Sequence, residues 1–154
     1  MKRSPEESEI LGNFTPSKFS GDGFLGTDPR TPQEIIVEDA LELERAGIDA
    51  AAIGNALGVL FDRALQAMGA MIEIMPGVTA RYHESRGVIP SPFRGEGAFE
   101  KGEVAVSGLP GFGDVILTRL SIHLIERHGF FQGRGQRYRI EPGAALMLAR
   151  ASAR

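Results

Sequence analysis

The stretch HLIERHGFF, residues 123–131, sets two of the chain's three histidines five residues apart beside a glutamate. Imidazole and carboxylate together can ligate a transition metal or move a proton, so their spacing decides which chemistry is open. Two histidines on one helix hold one ion when they share a face, as at i and i+4. Five apart, His123 and His128 project about 140° from each other on a helix of 3.6 residues per turn. That angle argues against a shared ion and for an ordinary helix end. His128 falls beside Leu120 and Leu124 in the last turn, where the helix dipole favours a cation. His123 falls on the wet side with Arg119, Glu126 and Arg127. A set of His123, Glu126 and His83 can be drawn, since i,i+3 neighbours meet, but no spacing selects it. The sequence is therefore read as implying no metal and no cofactor.

Other catalytic chemistries have little support. The chain has no cysteine, which removes disulfides and every thiolate zinc site. No Gly-x-Ser-x-Gly elbow is present, and acid–base pairs such as Asp114 with His123 or Glu84 with His83 carry no motif. If the protein binds a small ligand or is an enzyme, the expected pocket is lined by Arg119, His123 and Glu126.

A second candidate is FFQGRGQRYR, residues 130–139, where Arg134, Arg137 and Arg139 interleave with Phe130, Phe131 and Tyr138. Arginines and aromatics on a flexible loop can stack bases and grip phosphates, so an anion or single-stranded nucleic acid such as RNA is one expected ligand. The plainer reading is a glycine turn feeding a strand, with the arginines solvated or paired with acidic helices. DNA is not expected. IDAAAIGNALGV, residues 48–59, resembles a helix-turn-helix entry, yet the segment after it, 60–69, carries one basic residue, Arg63, where phosphate contacts need several. The glycine-rich run 20–26 lacks the Gly-Lys-Ser/Thr ending of a phosphate loop.

The elements that must position these residues read as follows. Residues 1–30 form an irregular arm whose Phe14, Phe19 and Phe24 clip onto the rest, and residues 31–154 form a single α+β domain. Thr31-Pro32-Gln33-Glu34 starts a helix with an N-cap, a proline at its first position and a capping box, ending at Gly47. Ile36, Ala40 and Leu43 form its expected stripe, with Glu34, Glu38, Asp39, Glu42 and Glu44 in water. Asp49 caps a second helix reaching Met71, with Ile53, Leu57, Leu60, Phe61, Ala64, Met68 and Met71 on one side. Strands are expected near 78–84, 103–107, 114–118 and 137–140. A helix from Leu120 to His128 stops at Gly129, and another follows Pro142. The predicted fold is thus a helical hairpin packed on a small antiparallel sheet with C-terminal helices.

Residues 120–142, from Leu120-Ser121-Ile122-His123 through Gly129-Phe130-Phe131-Gln132-Gly133-Arg134-Gly135 to Tyr138-Arg139-Ile140-Glu141-Pro142, resemble a segment of a family of small bacterial cytosolic proteins with no assigned activity, and GFLGTDPRTPQEII, residues 23–36, belongs with it. The resemblance implies a bacterial source and a cytoplasmic location and carries no ligand.

Charge supplies the leading functional expectation. The net charge is −3, but residues 1–77 are net −7 and residues 78–154 net +4 by the same count. The halves attract each other across the fold, or the surplus meets a partner. The expectation is a non-catalytic interaction domain that binds a protein or a second copy of itself. No apolar run approaches the 18 or so residues of a membrane span.

Overall fold

A computed structural model describes Phe14 and residues 23–152. The fold is α+β. Helices α1 (Pro32–Ala46) and α2 (Ala50–Gln66) precede strands β1 (Ile72–Met75), β2 (Val78–His83), β3 (Val88–Pro90), β4 (Ala98–Glu100), β5 (Glu103–Leu109) and β6 (Gly113–Thr118), and helices α3 (Arg119–His128) and α4 (Pro142–Ser152) close the order. Four strands pair antiparallel in the order β1-β2-β5-β6, while β3 and β4 form a hairpin of their own.

The helix signals are realised atom by atom. Thr31 accepts from the backbone N–H of Glu34 with Pro32 at the first position, and Gly47 closes α1 at φ 71°. Asp49 accepts from Ala52 to open α2. Thr118 and Ser121 cap each other's backbone N–H groups at the start of α3, and Gly129 ends it at φ 65°. Both glycines sit in the left-handed region, where a Cβ is disfavoured.

Two apolar clusters share the interior. Ile53, Leu57, Leu60, Phe61 and Ala64 of α2 pack on Val78 and Ala80 of β2, Val104 and Val106 of β5, and Ala144, Ala145 and Leu148 of α4. A second cluster joins Phe14, Phe24 and Ile35 to Leu120, Leu124 and Phe130, with Ile89, Phe93 and Phe99 of the β3–β4 hairpin against it. Phe14 and Phe24 thus reach the core as expected; Phe19 lies outside the described residues. Helices α2 and α3 approach closely at Gly54, where an added Cβ would stand 2.5 Å from Cβ of Glu126.

Segments more than a hundred residues apart are stitched together. Gly133 N–H donates to Phe24 O at 2.9 Å and Thr27 N–H to Arg134 O at 3.0 Å. The Gln136 amide donates to Gly23 O at 2.6 Å, and Arg134 N–H to the Asp28 carboxylate at 3.0 Å.

Three expectations are corrected. Helix α1 is rotated about its axis: it buries Ile35, Asp39 and Leu43, because Asp39 is drawn inward by Arg139 at 2.9 Å, both side chains being 5% exposed. Ala40 consequently lies outside. Helix α2 stops at Gln66, so Met68 and Met71 are 89% and 62% exposed rather than part of its stripe. Across residues 50–66 it is unbroken, as the continuous apolar stripe implied, with no helix-turn-helix break. The expected strand at 137–140 is a chain of turns: Gln136 Oε1 accepts from Tyr138 N–H and Gln136 O from Arg139 N–H, leaving those donors unavailable to a ladder. Strands β1, β3 and β4 had no sequence counterpart.

Candidate metal centre

The corrected element that matters most for function is the hairpin. Ser91 N–H donates to Gly97 O at 3.0 Å, closing the turn between β3 and β4, with Gly95 and Gly97 at φ 80° and 76°. The Ser91 hydroxyl accepts from Phe93 N–H at 3.1 Å and donates to Glu96 Oε1 at 2.7 Å. These bonds fix the direction of the Glu96 carboxylate, which faces α3.

Both imidazoles meet it there. Nε2 of His128 lies 2.7 Å from Oε2, and Nε2 of His123 lies 3.0 Å from Oε1. The histidines do share a partner. Side chains are not fixed spokes from the axis of an isolated helix, so an angle of about 140° between Cα positions does not keep two rings apart. In the fold, both rings lean toward a carboxylate brought from another segment, and their centroids are 6.1 Å apart. The glutamate is Glu96 rather than Glu126, and the second imidazole is His128 rather than His83, which is exposed on β2.

Aromatic rings hold both histidines. Phe93 stacks on His128 with centroids 3.6 Å apart and planes 18° off parallel, and Phe99 lies 4.6 Å from His123. Phe93 also meets Phe14 edge-on at 5.2 Å, which roots the site in the second cluster. The two imidazole–carboxylate contacts differ. Nε2 of His128 is hydrogen-bonded to Glu96. Nε2 of His123 is enclosed, yet it lacks an aligned acceptor despite its 3.0 Å approach. An enclosed polar atom without an aligned partner costs free energy and calls for an explanation.

The electrostatics of Glu96 follow. Burial pushes its carboxyl pKa up, but the Ser91 hydroxyl and the two imidazoles outweigh this, and the net displacement is downward. The carboxylate is held ionised by groups that would also orient it as a ligand.

One ligand atom from each of Glu96, His123 and His128 lies within 4.8 Å of the others. Two ligands of one tetrahedral zinc, at bond lengths of about 2.0–2.1 Å, stand about 3.3 Å apart. The present separations of 2.7 and 3.0 Å would have to open by about half an ångström as the ion replaces the intervening proton. A two-imidazole, one-carboxylate set leaves a coordination position for water or another donor, and it suits zinc, cobalt or nickel over magnesium or calcium.

The remaining sequence candidates do not gather. Arg119 pairs with Asp62 at 2.5 Å and covers the Phe61 ring, while Glu126 sits at the α2–α3 contact, and His123 turns to Glu96 instead. Nor do the three arginines make one patch. All five N–H groups of Arg139 are engaged, by Asp39, Glu141 and Gln132 O. Arg137 pairs with Glu103 at 3.1 Å with its side chain 58% exposed. Arg134 is exposed, its backbone held by Asp28 and Thr27. Glu96 was missed because it lies 32 residues before His128. Its one sequence signal is an acid inside a proline- and glycine-rich excursion.

Set against protein-family models, curated proteins and solved structures, the chain matches none. No helix among the described residues is long and apolar enough to cross a membrane.

Proposed function

We propose that this protein binds a divalent transition-metal ion through Glu96, His123 and His128. The observation that carries the reading is the convergence of the three ligand atoms from two separately folded elements. Two features support it. The carboxylate is oriented by Ser91, the kind of outer contact that tunes metal sites. The His123 nitrogen lacks an aligned acceptor and gains a bond when an ion enters. Metal would join the hairpin to α3 and leave a coordination position for water or another donor.

The test is calorimetric titration of the untagged chain with zinc, paired with cobalt(II) absorption. One ion per chain is expected, with the visible bands of a low-coordinate cobalt site. Removing a ligand by His128→Ala should weaken affinity by at least about 100-fold, and Ser91→Ala by about 10-fold. No binding, or equal binding by a His123→Ala/His128→Ala variant, would refute the reading. Magnesium and calcium should not compete.

A further inference from the structure

Helix α1 exposes the wrong side for an isolated domain. With Ile35, Asp39 and Leu43 inward, Val37 and Leu41 lie opposite at 3.6 residues per turn, with Glu34, Glu44 and Arg45 around them and Ala40 at the edge of that face. Val37 and Leu41 are 50% and 51% exposed, and Ala40 is exposed beside them. The helix uses part of its inward face on an ion pair and leaves an apolar stripe in water. Sequence pattern and tertiary placement conflict here, and such conflicts concentrate at functional surfaces.

The stripe does not end on bare surface. It runs into a crevice of about 400 Å³ at the α1–α2 turn, floored by Leu43, Ile48 and Ala50 and reached past Glu44 and Asp49. Glu34 and Glu44 adjoin Val37 and Leu41 and are exposed; among the described residues, no ion pair involves either. An apolar anchor groove rimmed by unneutralised carboxylates selects an occupant with apolar side chains flanked by cations. A second copy placed face to face by two-fold symmetry would set these carboxylates against each other, which disfavours self-pairing.

We infer that the outer face of α1 and the crevice at its C-terminal end form a docking surface for a basic amphipathic segment of another protein. Its apolar side lies along Val37 and Leu41, one side chain enters the crevice, and its lysines or arginines meet Glu34 and Glu44.

The test uses a fluorescent 18-residue peptide with leucines at helical spacing and lysines elsewhere, read by anisotropy against the full chain. Val37→Ser/Leu41→Ser is expected to weaken binding at least tenfold, and Glu44→Gln about threefold. Val59→Ser, which alters an apolar residue 47% exposed on α2, should leave affinity within twofold. Raising salt should weaken the wild type, with the serine double variant remaining weaker throughout. Equal affinity of the wild type and the double variant overturns the proposal, as does an equal loss in Val59→Ser, because binding would then be diffuse charge attraction. Concentration-dependent dimerisation abolished by Leu41→Ser would also overturn it, in favour of a second copy as occupant.

Discussion

Two buried charge clusters in this protein, built from similar ingredients, have opposite characters. Around Arg139, Asp39, Glu141 and the Gln132 carbonyl accept all five guanidinium protons, and the Asp39 and Arg139 side chains are 5% exposed. Around Glu96, the side chains are 15–25% exposed and one imidazole nitrogen lacks an aligned acceptor. Burial disfavours the Arg139 cation, and the bonds to Asp39 and Glu141 more than reverse this, raising its pKa. A saturated cluster has no capacity left for a ligand. The unsaturated one is where the proposed metal would take the place of a proton.

The largest expected break in this comparison is at the saturated cluster. Arg139→Leu leaves the Asp39 charge buried and should cost about 3–5 kcal/mol in urea unfolding. Adding Asp39→Leu should recover most of the loss, since an apolar pair replaces a desolvated one. A loss below about 1 kcal/mol in the single variant would place Arg139 among exposed pairs. Next in size is Gly54→Ala, whose new methyl meets Cβ of Glu126 at 2.5 Å; overpacking of this kind costs about 1–3 kcal/mol. Wild-type stability at this position would mean that α2 and α3 separate without penalty.

The pH response should sharpen the contrast. The Arg30 hydrogen bond chiefly holds the Asp28 carboxyl well below the usual range, against burial, helped by the backbone N–H groups of Arg134 and Arg30. Glu96 is displaced the same way, from 4.5. A carboxyl whose folded pKa is depressed adds stability that is complete above its unfolded pKa and is lost as pH falls through the folded one. Unfolding midpoints should therefore fall below about pH 4.5, and Glu96→Gln should show a smaller fall than the wild type. The smallest effect expected is that of Glu96→Gln on the metal-free protein near neutral pH, about 1 kcal/mol or less, while the zinc-induced rise in its melting temperature disappears. A zinc effect that survives this substitution would move the site elsewhere.

What could be read from the sequence follows from the range of the forces involved. Thr31, Gly47, Asp49 and Gly129 act through their own backbone or the next turn, so the helix ends they set are local facts. The alternation of β5, with Val104 and Val106 inward, is equally local. The rotation of α1 depends on a pair separated by 100 residues, Asp39 and Arg139, and no wheel drawn for residues 32–46 contains that information. The same holds for the candidate site. Its two histidines were visible, but the carboxylate that makes them converge lies on a hairpin with no periodic signature, between Pro90 and Gly97. The charge imbalance between the halves was legible, and part of its use is now explicit: Arg139–Asp39 and Arg119–Asp62 each join the acidic half to the basic one.

The bonds between residues 23–28 and 133–136 also have a consequence in time. Thr27 and Asp28 find their partners 107 and 106 residues further along the chain. During synthesis at about 5–20 residues per second, those partners emerge about 5–20 s later. Until then Phe24 and Ile35 have neither Leu124 nor Phe130 to cover them, and the apolar start of the domain waits exposed for its end. Over that interval the uncovered apolar residues are open to contact with other chains.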